Sequence, residues 1–412
     1  MKKFITHWTF AFVTLVALTF IGLQEPFVKE ILKLKSFDML IQQEEISLST
    51  DIGIVTIDEK SIEKYGQWPW KRDVIAQVIS NLRQSGAGVI MIPILFSEED
   101  RLGGDDILSQ TLIDNGVVIA QVGTSQINKN SVPRGVAKIG NPLPYLFEWD
   151  GMLGPIPKLG QNANGVGVIN TAPEIDGVVR RIPLIMRIGQ DTYPTMAVEV
   201  IRVATGNPSY QVKAGDGGVQ AIRVPGFPII NTDPNARIWL HWNKQFETIS
   251  ASENNFSKFN ARTVIIGMTA EGLGGIIGTP VGEKYDYMLS ASTLQTMIDG
   301  KQINRYDVSS FLELVLSVIL GLTVILICRF TPYWFIGFSL IILYSASVFG
   351  SKFLFDKYLI LSDVSWIIIV ITIVGMHSIF NRFILEFRLK QQIRKQFETY
   401  LDPRQVAELQ KD

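Results

Sequence analysis

Residues 308–328 have the sequence VSSFLELVLSVILGLTVILIC, in which Glu313 is the one charged side chain among 21 positions. At ~1.5 Å of rise per residue, a helix of this length is about 32 Å long and matches the ~30 Å hydrocarbon layer of a bilayer. Two more apolar stretches follow at 333–350 and 359–380, after short connections. Residues 308–380 are therefore predicted to form three transmembrane helices that run in alternating directions.

A fourth apolar stretch lies near the start of the chain. Residues 5–23 carry no formal charge and follow Lys2 and Lys3. The stretch is longer than the ~7–15-residue apolar core of a secretory signal peptide, and residues 19–24 offer no small-residue cleavage site. Residues 1–23 are therefore predicted to be a cytoplasmic tail followed by an uncleaved transmembrane anchor.

The positions of Lys and Arg predict the orientation of these four spans, because positive charges flank the cytoplasmic ends of membrane helices. Four crossings place a smaller basic pair, Lys352 and Lys357, on one side. The larger group falls on the other side: Lys2, Lys3, Arg329, Arg382, Arg388, Lys390, Arg394 and Lys395. Both termini are thus predicted to be cytoplasmic, and residues 24–307, with 31 acidic and 26 basic residues, to lie outside. This layout is typical of a multi-pass protein of a bacterial inner membrane with a periplasmic or extracellular domain.

The composition excludes several classes of protein and site. The net charge of −1 and the absence of a basic tail argue against a nucleic-acid-binding protein. Cys328 is the single cysteine, so no intrachain disulfide can form, and with only three histidines a Cys/His zinc site is not expected. We find no order of Ser, His and Asp, no pair of catalytic carboxylates and no nucleotide-binding motif, and therefore predict no catalytic residue and no metal ligand.

The outer segment, residues 24–307, has the pattern of a mixed α/β domain. An apolar strand at 52–57, an amphipathic helix at 72–84 and a second buried strand at 89–96 predict a right-handed parallel strand pair. Further predicted elements are a strand at 178–187, a helix at 193–205, a hairpin at 210–224 and a strand at 263–267. The predicted fold class is an α/β mixed-sheet extracytoplasmic domain with four transmembrane α-helices and a cytoplasmic signalling helix.

The segment 381–412 is predicted to be that cytoplasmic helix. Apolar residues recur every four positions on one helical face, at Leu385, Leu389, Ile393, Phe397 and Leu401. Such a face either packs on a cytoplasmic surface or pairs with its copy in a homodimer. Asp402 and Pro403 are typical of the start of a further helix, with Asp as N-cap and Pro at the first position. With Asp412 following so closely, either the chain is a fragment or its output is another protein.

Three motifs in order resemble the CHASE2 family of extracellular sensor domains. They are IVTID (54–58) with GQWPWKR (66–72), then NTAPEIDGVVR (170–180), and finally VIIGMTA (264–270) with GTP (278–280). The resemblance covers roughly residues 25–305 and implies one anchor before the domain and three spans after it. Polar residues common in the family are replaced here by Pro93, Gly275 and the run 288–291. Two expectations therefore stay open, a ligand that differs from those of its relatives or no ligand.

The tail is similar to the linker that precedes the catalytic domain of class III nucleotidyl cyclases. The matching residues lie at 393–397, Tyr400, 402–403 and 406–409. This resemblance implies an output that forms cyclic AMP from ATP, or in some members cyclic GMP, at a dimer interface. That output alone would need Mg or Mn, and no cofactor is expected in this chain. CHASE2 domains also precede histidine kinases, Ser/Thr kinases and diguanylate cyclases. A stand-alone envelope receptor or assembly protein that acts through a separate partner is the alternative from another class.

Seven residues in these motifs are candidates for binding an unknown small molecule or envelope signal: Asp58, Trp68, Trp70, Arg72, Asp176, Arg180 and Thr269. Each has a purely structural alternative. Asp58 can cap the helix starting near Ser61, the two tryptophans can form a packed turn, and Arg180 can form a salt bridge in a surface hairpin. The glycines at 272–278 lack a phosphate-binding spacing and predict a flexible loop. Glu313 and Asp363 are predicted to lie near the outer ends of their membrane spans, at the interface with water.

Overall fold

The computed structural model describes residues 9–400, with side chains up to residue 396. The chain divides into two units, Ile41–Asn304 and the combination of Met1–Leu40 with Arg305–Asp412. The first unit contains all the described strands and is called the outer unit, after the location predicted for it from the sequence. The second contains the long apolar helices and is called the helical unit. The mixed α/β character predicted for the outer part of the chain is confirmed.

The described strands in chain order are β1 (Ser47–Ile57), β2 (Ile90–Leu95), β3 (Val117–Thr124), β4 (Val136–Ile139), β5 (Phe147–Glu148), β6 (Gly151–Leu153), β7 (Gly165–Val168), β8 (Arg181–Pro183), β9 (Ile185–Ile188), β10 (Asp191–Pro194), β11 (Tyr210–Gly215), β12 (Gly218–Arg223), β13 (Ile230–Asn231), β14 (Arg237–Trp239), β15 (Lys244–Ser250), β16 (Thr263–Met268), β17 (Ile276–Thr279) and β18 (Gly282–Tyr285). The described α-helices are α1 (Phe10–Leu23), α2 (Phe27–Ile41), α3 (Glu59–Tyr65), α4 (Arg72–Gln84), α5 (Asp105–Leu112), α6 (Pro157–Asn162), α7 (Met196–Ala204), α8 (Tyr287–Asp299), α9 (Ser309–Phe330), α10 (Tyr333–Tyr358) and α11 (Ser365–Tyr400).

A seven-stranded sheet forms the centre of the outer unit. Its order is β15-β1-β16-β2-β3-β6, and β7 also pairs with β3. All pairs are parallel except β3 with β6. The prediction that β1 and β2 pair directly is wrong, because β16 lies between them and pairs with both. Their parallel direction is as expected, but a strand far along the chain completes the sheet.

Helices cover both faces of this sheet. On one face, α4 buries Ile75, Val78, Ile79 and Leu82 in a cluster with alternate residues of the central strands. Burying each such side chain stabilises the folded state by about 1.5–3 kcal/mol, before the entropy cost of ordering the side chain is subtracted. On the other face, α8 lies so close to β16 that a Cβ at Gly267 would fall 2.4 Å from the Tyr287 ring. A side chain larger than hydrogen therefore cannot stand at position 267 without moving α8.

Smaller sheets account for the remaining strands, and here several predictions are wrong. The predicted strand at 178–187 is two strands, β8 and β9, which pair with different partners, β14 and β10. The predicted helix at 193–205 begins only at Met196, because Tyr193 and Pro194 belong to β10. The predicted hairpin at 210–224 is confirmed as β11 and β12. The glycine segment 272–278, predicted to be a flexible loop, enters the hairpin of β17 and β18.

The helical unit contains three helices long and apolar enough to cross a membrane, Ser309–Phe330, Tyr333–Tyr358 and Ser365–Gln396. One of the predicted connections is wrong. Residues 351–358, predicted to be a connection, are the last two turns of α10, and α11 continues without a break past residue 380 to Tyr400. The charges after residue 380 are thus on the same helix as the last apolar span.

The predicted N-terminal anchor has a different geometry. Among the described residues, α1 has 14 residues and is long and apolar enough to cross a membrane only together with α2, from which it is bent by 79°. A break of a few residues containing Pro26 separates them, since proline removes a helical N–H donor. Within this unit α1 packs Ala11, Leu15 and Leu18 against α9 and α11.

Candidate ligand cleft

Two parallel strands end side by side at one edge of the central sheet. Ile57 at the end of β1 pairs with Met268 at the end of β16. The residues that follow, Asp58 and Thr269, are therefore brought to the same edge, where ligands bind in many open α/β sheets. The backbone N–H of Thr269 donates to the Ile57 carbonyl at 3.0 Å, which fixes the loop after β16 against β1.

The Asp58 side chain caps helix α3. Its Oδ1 atom accepts the Ser61 N–H at 3.0 Å and the Ser250 hydroxyl at 2.7 Å, and the Asp58 N–H donates to the Ser61 hydroxyl at 2.8 Å. Partial burial acts to raise the pKa of Asp58. The hydrogen bonds from Ser250 and Ser61 outweigh it and hold the pKa below its usual value. The carboxylate is thus kept charged to position α3 and β15.

The turn after α3 places the two tryptophans in different environments, although their rings are in contact. Trp70 is buried, donates its Nε1–H to the Gly66 carbonyl at 2.8 Å and meets Tyr65 and Trp68 edge to face. Trp68 is half-buried and lines an open cleft, so it is the tryptophan placed to meet a ligand. Of the two tryptophans named as ligand-binding candidates, Trp68 lines the cleft, and the buried ring of Trp70 packs against it.

The cleft beside Trp68 has a volume of about 400 Å³. It lies between α3, the following turn and the loop after β16, and its lining residues are Glu59, Ile62, Glu63, Gln67, Trp68, Ala270, Glu271 and Leu273. The Glu271 N–H donates to the Glu59 carboxylate at 2.9 Å, which ties the two walls together. Three of these residues are glutamates and none is basic. An indole face with carboxylates suits a cationic or hydroxyl-rich ligand.

Sequence reasoning missed these glutamates, although two signals pointed to them. Glu59 and Glu63 are four residues apart and so lie on the same face of α3. Glu271 lies two residues after Thr269, which was itself a candidate at the end of the strand predicted at 263–267. Among the described residues, 9–400, no group of three or more His, Cys, Asp and Glu side chains could hold a metal ion.

Arg72 lies outside the cleft. Its backbone N–H donates to the Asp100 carboxylate at 2.8 Å, and its guanidinium lies 4.5 Å from the centre of the Phe96 ring. The Nε atom is 3.6 Å from an Asp105 carboxylate oxygen. These contacts hold the start of α4 against the segment that follows β2, which is a structural role.

Asp176 and Arg180 form a structural pair elsewhere in the outer unit. Both guanidinium nitrogens Nη1 and Nη2 lie 2.8 Å from the Asp176 carboxylate oxygens. The structural alternative placed Arg180 in a surface hairpin, and this is wrong, because Arg180 is fully buried. Neighbouring Glu174 binds Arg181; burial acts to raise the pKa of Glu174, but Arg181, Arg237 and Arg180 together hold it below its usual value.

The residues of the predicted signalling helix are only partly within the described part of the chain. Leu389 and Ile393 lie on α11 with 57% and 44% of their surfaces exposed. Phe397 lies on the same helix, but its side chain is beyond the described ones. Leu401, Asp402 and Pro403 lie outside the described residues. An apolar face is thus exposed on the described part of this helix.

A family model described as CHASE2 domain matches residues 11–328, more than three quarters of the chain. No curated protein and no solved structure matches the chain.

The capping role of Asp58 predicts a pH-dependent effect of Asp58→Ala. We expect this change to lower the free energy of unfolding by about 1 kcal/mol at neutral pH. Because the folded-state pKa of Asp58 is lowered, this contribution is complete above the unfolded pKa of ~3.9 and is lost as the pH falls through the folded-state value. Urea denaturation of both proteins across this range measures the difference. Asp216→Ala, at an exposed turn residue, is the control; a difference that stays constant into acid contradicts the assignment.

Proposed function

The chain belongs to the CHASE2 domain family of extracellular sensor domains, and on that basis we propose that it is a membrane-bound signal receptor. The proposed output is a cytoplasmic class III nucleotidyl cyclase that converts ATP to cyclic AMP. The observation that supports this output is the continuity of α11. Its 36 residues pass from an apolar segment into a charged one with no intervening loop.

A continuous helix can transmit a movement that a flexible connection would absorb. Gly375 is the one glycine in the helix and no proline interrupts it, so neither residue type breaks the hydrogen bonding of its charged half. A small rotation or shift at the membrane end would therefore reach residue 400. Catalytic domains that work as dimers can respond to such a change because it alters how two copies meet.

We propose a parallel homodimer through the exposed face of Leu389 and Ile393. These side chains repeat at four-residue spacing, and charged and polar residues occupy the rest of the same segment. Burying this face against a second copy would remove apolar surface from water at about 25 cal/mol per Å². The cyclase-like sequence at 393–409 would then begin at the same distance from the membrane in both copies.

The signal is proposed to bind in the cleft beside Trp68. A ligand there would contact α3 and the loop after β16 together, so its binding energy can favour one relative position of these two elements. Typical couplings of this kind are about 1–3 kcal/mol. The three glutamates and the indole ring favour an organic cation or a neutral hydroxylated molecule over an organic anion.

The proposed location is the cytoplasmic membrane of a bacterium, with the outer unit in the periplasm or outside and both termini in the cytoplasm. Support comes from the basic residues at one end of the helices, Arg329, Arg382 and Arg388, which follow the positive-inside rule. A fourth crossing would be made by α1 together with α2 despite the bend between them.

The ligand cleft can be tested by thermal denaturation of the purified chain with a panel of organic amines, polyols and organic acids. We expect at least one amine or polyol to raise the melting temperature, since a ligand that binds the folded state stabilises it. Trp68→Ala and Glu63→Gln should abolish or weaken this shift, whereas Glu283→Gln, outside the cleft, should not. A shift that survives Trp68→Ala, or one caused by acids alone, would place the ligand elsewhere.

The signalling role of α11 predicts a dependence on helical register. A class III cyclase catalytic domain is fused after Asp412 and expressed in a bacterium that lacks its own cyclase. Inserting one residue after Lys390 rotates the following helix by ~100°, and inserting seven restores the face to within ~20°. We expect the single insertion to change intracellular cyclic AMP by at least about fivefold, and the seven-residue insertion to leave it near the original level. Equal output from all three proteins argues against transmission through this helix.

Orientation and dimerisation can be tested together with single cysteines in a Cys328→Ser background. Asp216→Cys should react with a membrane-impermeant maleimide in intact cells, and Ile393→Cys should not. A membrane-permeant crosslinker should join Ile393→Cys into dimers far more than Gln391→Cys, which lies on the opposite face of the helix. Labelling of Ile393→Cys from outside would overturn the orientation, and strictly monomeric Ile393→Cys would overturn the dimer.

A further inference from the structure

A cavity of about 390 Å³ lies between α9 and α11 in the helical unit. It is at the end of the two helices that carries Arg329 and Arg382, and its walls also include Ile325, Ser378, Leu385 and Glu386. The three CHASE2 motifs end at residue 280, and the family match extends to residue 328, whereas the cavity residues on α11 lie beyond it. The cavity is therefore distinct from the ligand cleft of the outer unit.

Arg382 lines this cavity and is held in place by three hydrogen bonds. Its Nη1 atom donates to the Cys328 carbonyl at 3.0 Å and to the Thr331 carbonyl, and its Nε atom donates to Glu386 at 2.9 Å. Because a guanidinium has five N–H donors, these three bonds leave donor capacity for an anion. The guanidinium also lies 4.5 Å from the centre of the Tyr333 ring, which fixes its plane.

Ser378 supplies an independent sign that a polar group belongs in the cavity. The side chain is 7% exposed, and its hydroxyl has no hydrogen-bond partner among the described residues. Leaving a buried hydroxyl without a partner costs about 1–3 kcal/mol, so such groups are normally satisfied. Ser378 is one helical turn before Arg382 on α11, and the two residues therefore line the same cavity.

The surroundings of the cavity are apolar and exposed. Phe330, Leu326 and Phe383 have 73%, 50% and 56% of their surfaces exposed. These residues lie at the end of helices apolar enough to cross a membrane, so lipid chains are what would cover them. The cavity itself contains two arginines and one glutamate, a net positive charge.

We propose that this cavity binds the phosphate group of an anionic glycerophospholipid, with its acyl chains along Leu326 and Phe330. Arg329 and Arg382 neutralise the phosphate, and the Ser378 hydroxyl donates to one of its oxygens. Basic pockets between membrane helices are suited to phospholipid headgroups because the charge lies beside an apolar surface. A free phosphate offers the same oxygens but would leave the apolar surface uncovered.

The test is native mass spectrometry of the purified full chain, titrated with phosphatidylglycerol or phosphatidylcholine. Phosphatidylglycerol should bind about tenfold more tightly than phosphatidylcholine. Arg329→Gln should reduce its affinity about tenfold, since one charge-assisted contact is lost. Ser378→Leu, which fills the cavity and keeps both arginines, should reduce it similarly. Arg388→Gln, which removes a charge outside the cavity, should leave the affinity within about twofold.

Three results would overturn the proposal. They are equal binding of the two lipids, an equal loss of phosphatidylglycerol binding in Arg388→Gln, and displacement of the lipid by inorganic phosphate alone, which would indicate a site for a free anion. Melting temperatures of all variants show whether they are folded. If Arg329→Gln does not fold, Ser378→Leu with its retained arginines still decides between a lipid in the cavity and general attraction to basic residues.

Discussion

The position of β16 in the middle of the central sheet is the constraint on which the outer unit depends. Val264, Ile265 and Ile266 are almost completely buried, and the strand pairs in parallel with β1 on one side and β2 on the other. Its insertion brings position 269 next to position 58, which are more than two hundred residues apart. Without it the cleft would lack one wall.

The same strand also sets where the chain leaves the outer unit. Gly267 allows α8 to lie directly on the sheet, with the Tyr287 ring filling the space of a side chain. Burial acts to raise the pKa of Tyr287 to about 12, so the ring is neutral at physiological pH and is a packing element. The chain continues from α8 towards the first long apolar helix, and the ion pair of Arg305 with Glu313, at 2.9 Å, lies at the start of that helix.

Local patterns in the sequence predicted those elements whose stability is local. Helix 72–84 has the predicted bounds because its apolar residues repeat at helical spacing, and the 210–224 hairpin follows from its turn residues. The predictions that are wrong concern long-range choices. The single strand predicted at 178–187 is two strands because the residues on either side of Leu184 pair with two separate parts of the chain, and that division depends on contacts far along the sequence. The end of α10 at Tyr358 is an exception, because the ion pair of Lys352 with Asp356, four residues apart along the helix, is a local contact in a segment where a connection was expected.

By itself the sequence determined that the chain has a mixed α/β domain and apolar helices of membrane-spanning length, since composition and periodicity are properties of consecutive residues. It also placed Asp58 and Thr269 at the ends of apolar strands, because such ends can be recognised locally, and it named Trp68 as a candidate from a motif. Only the tertiary structure decided that Trp68 faces a cleft while Trp70 is buried, that Arg72 and Arg180 are structural, and that Glu59, Glu63 and Glu271 share one site. Which side chains meet depends on strand order and helix packing, and these arise from contacts between residues far apart in the chain.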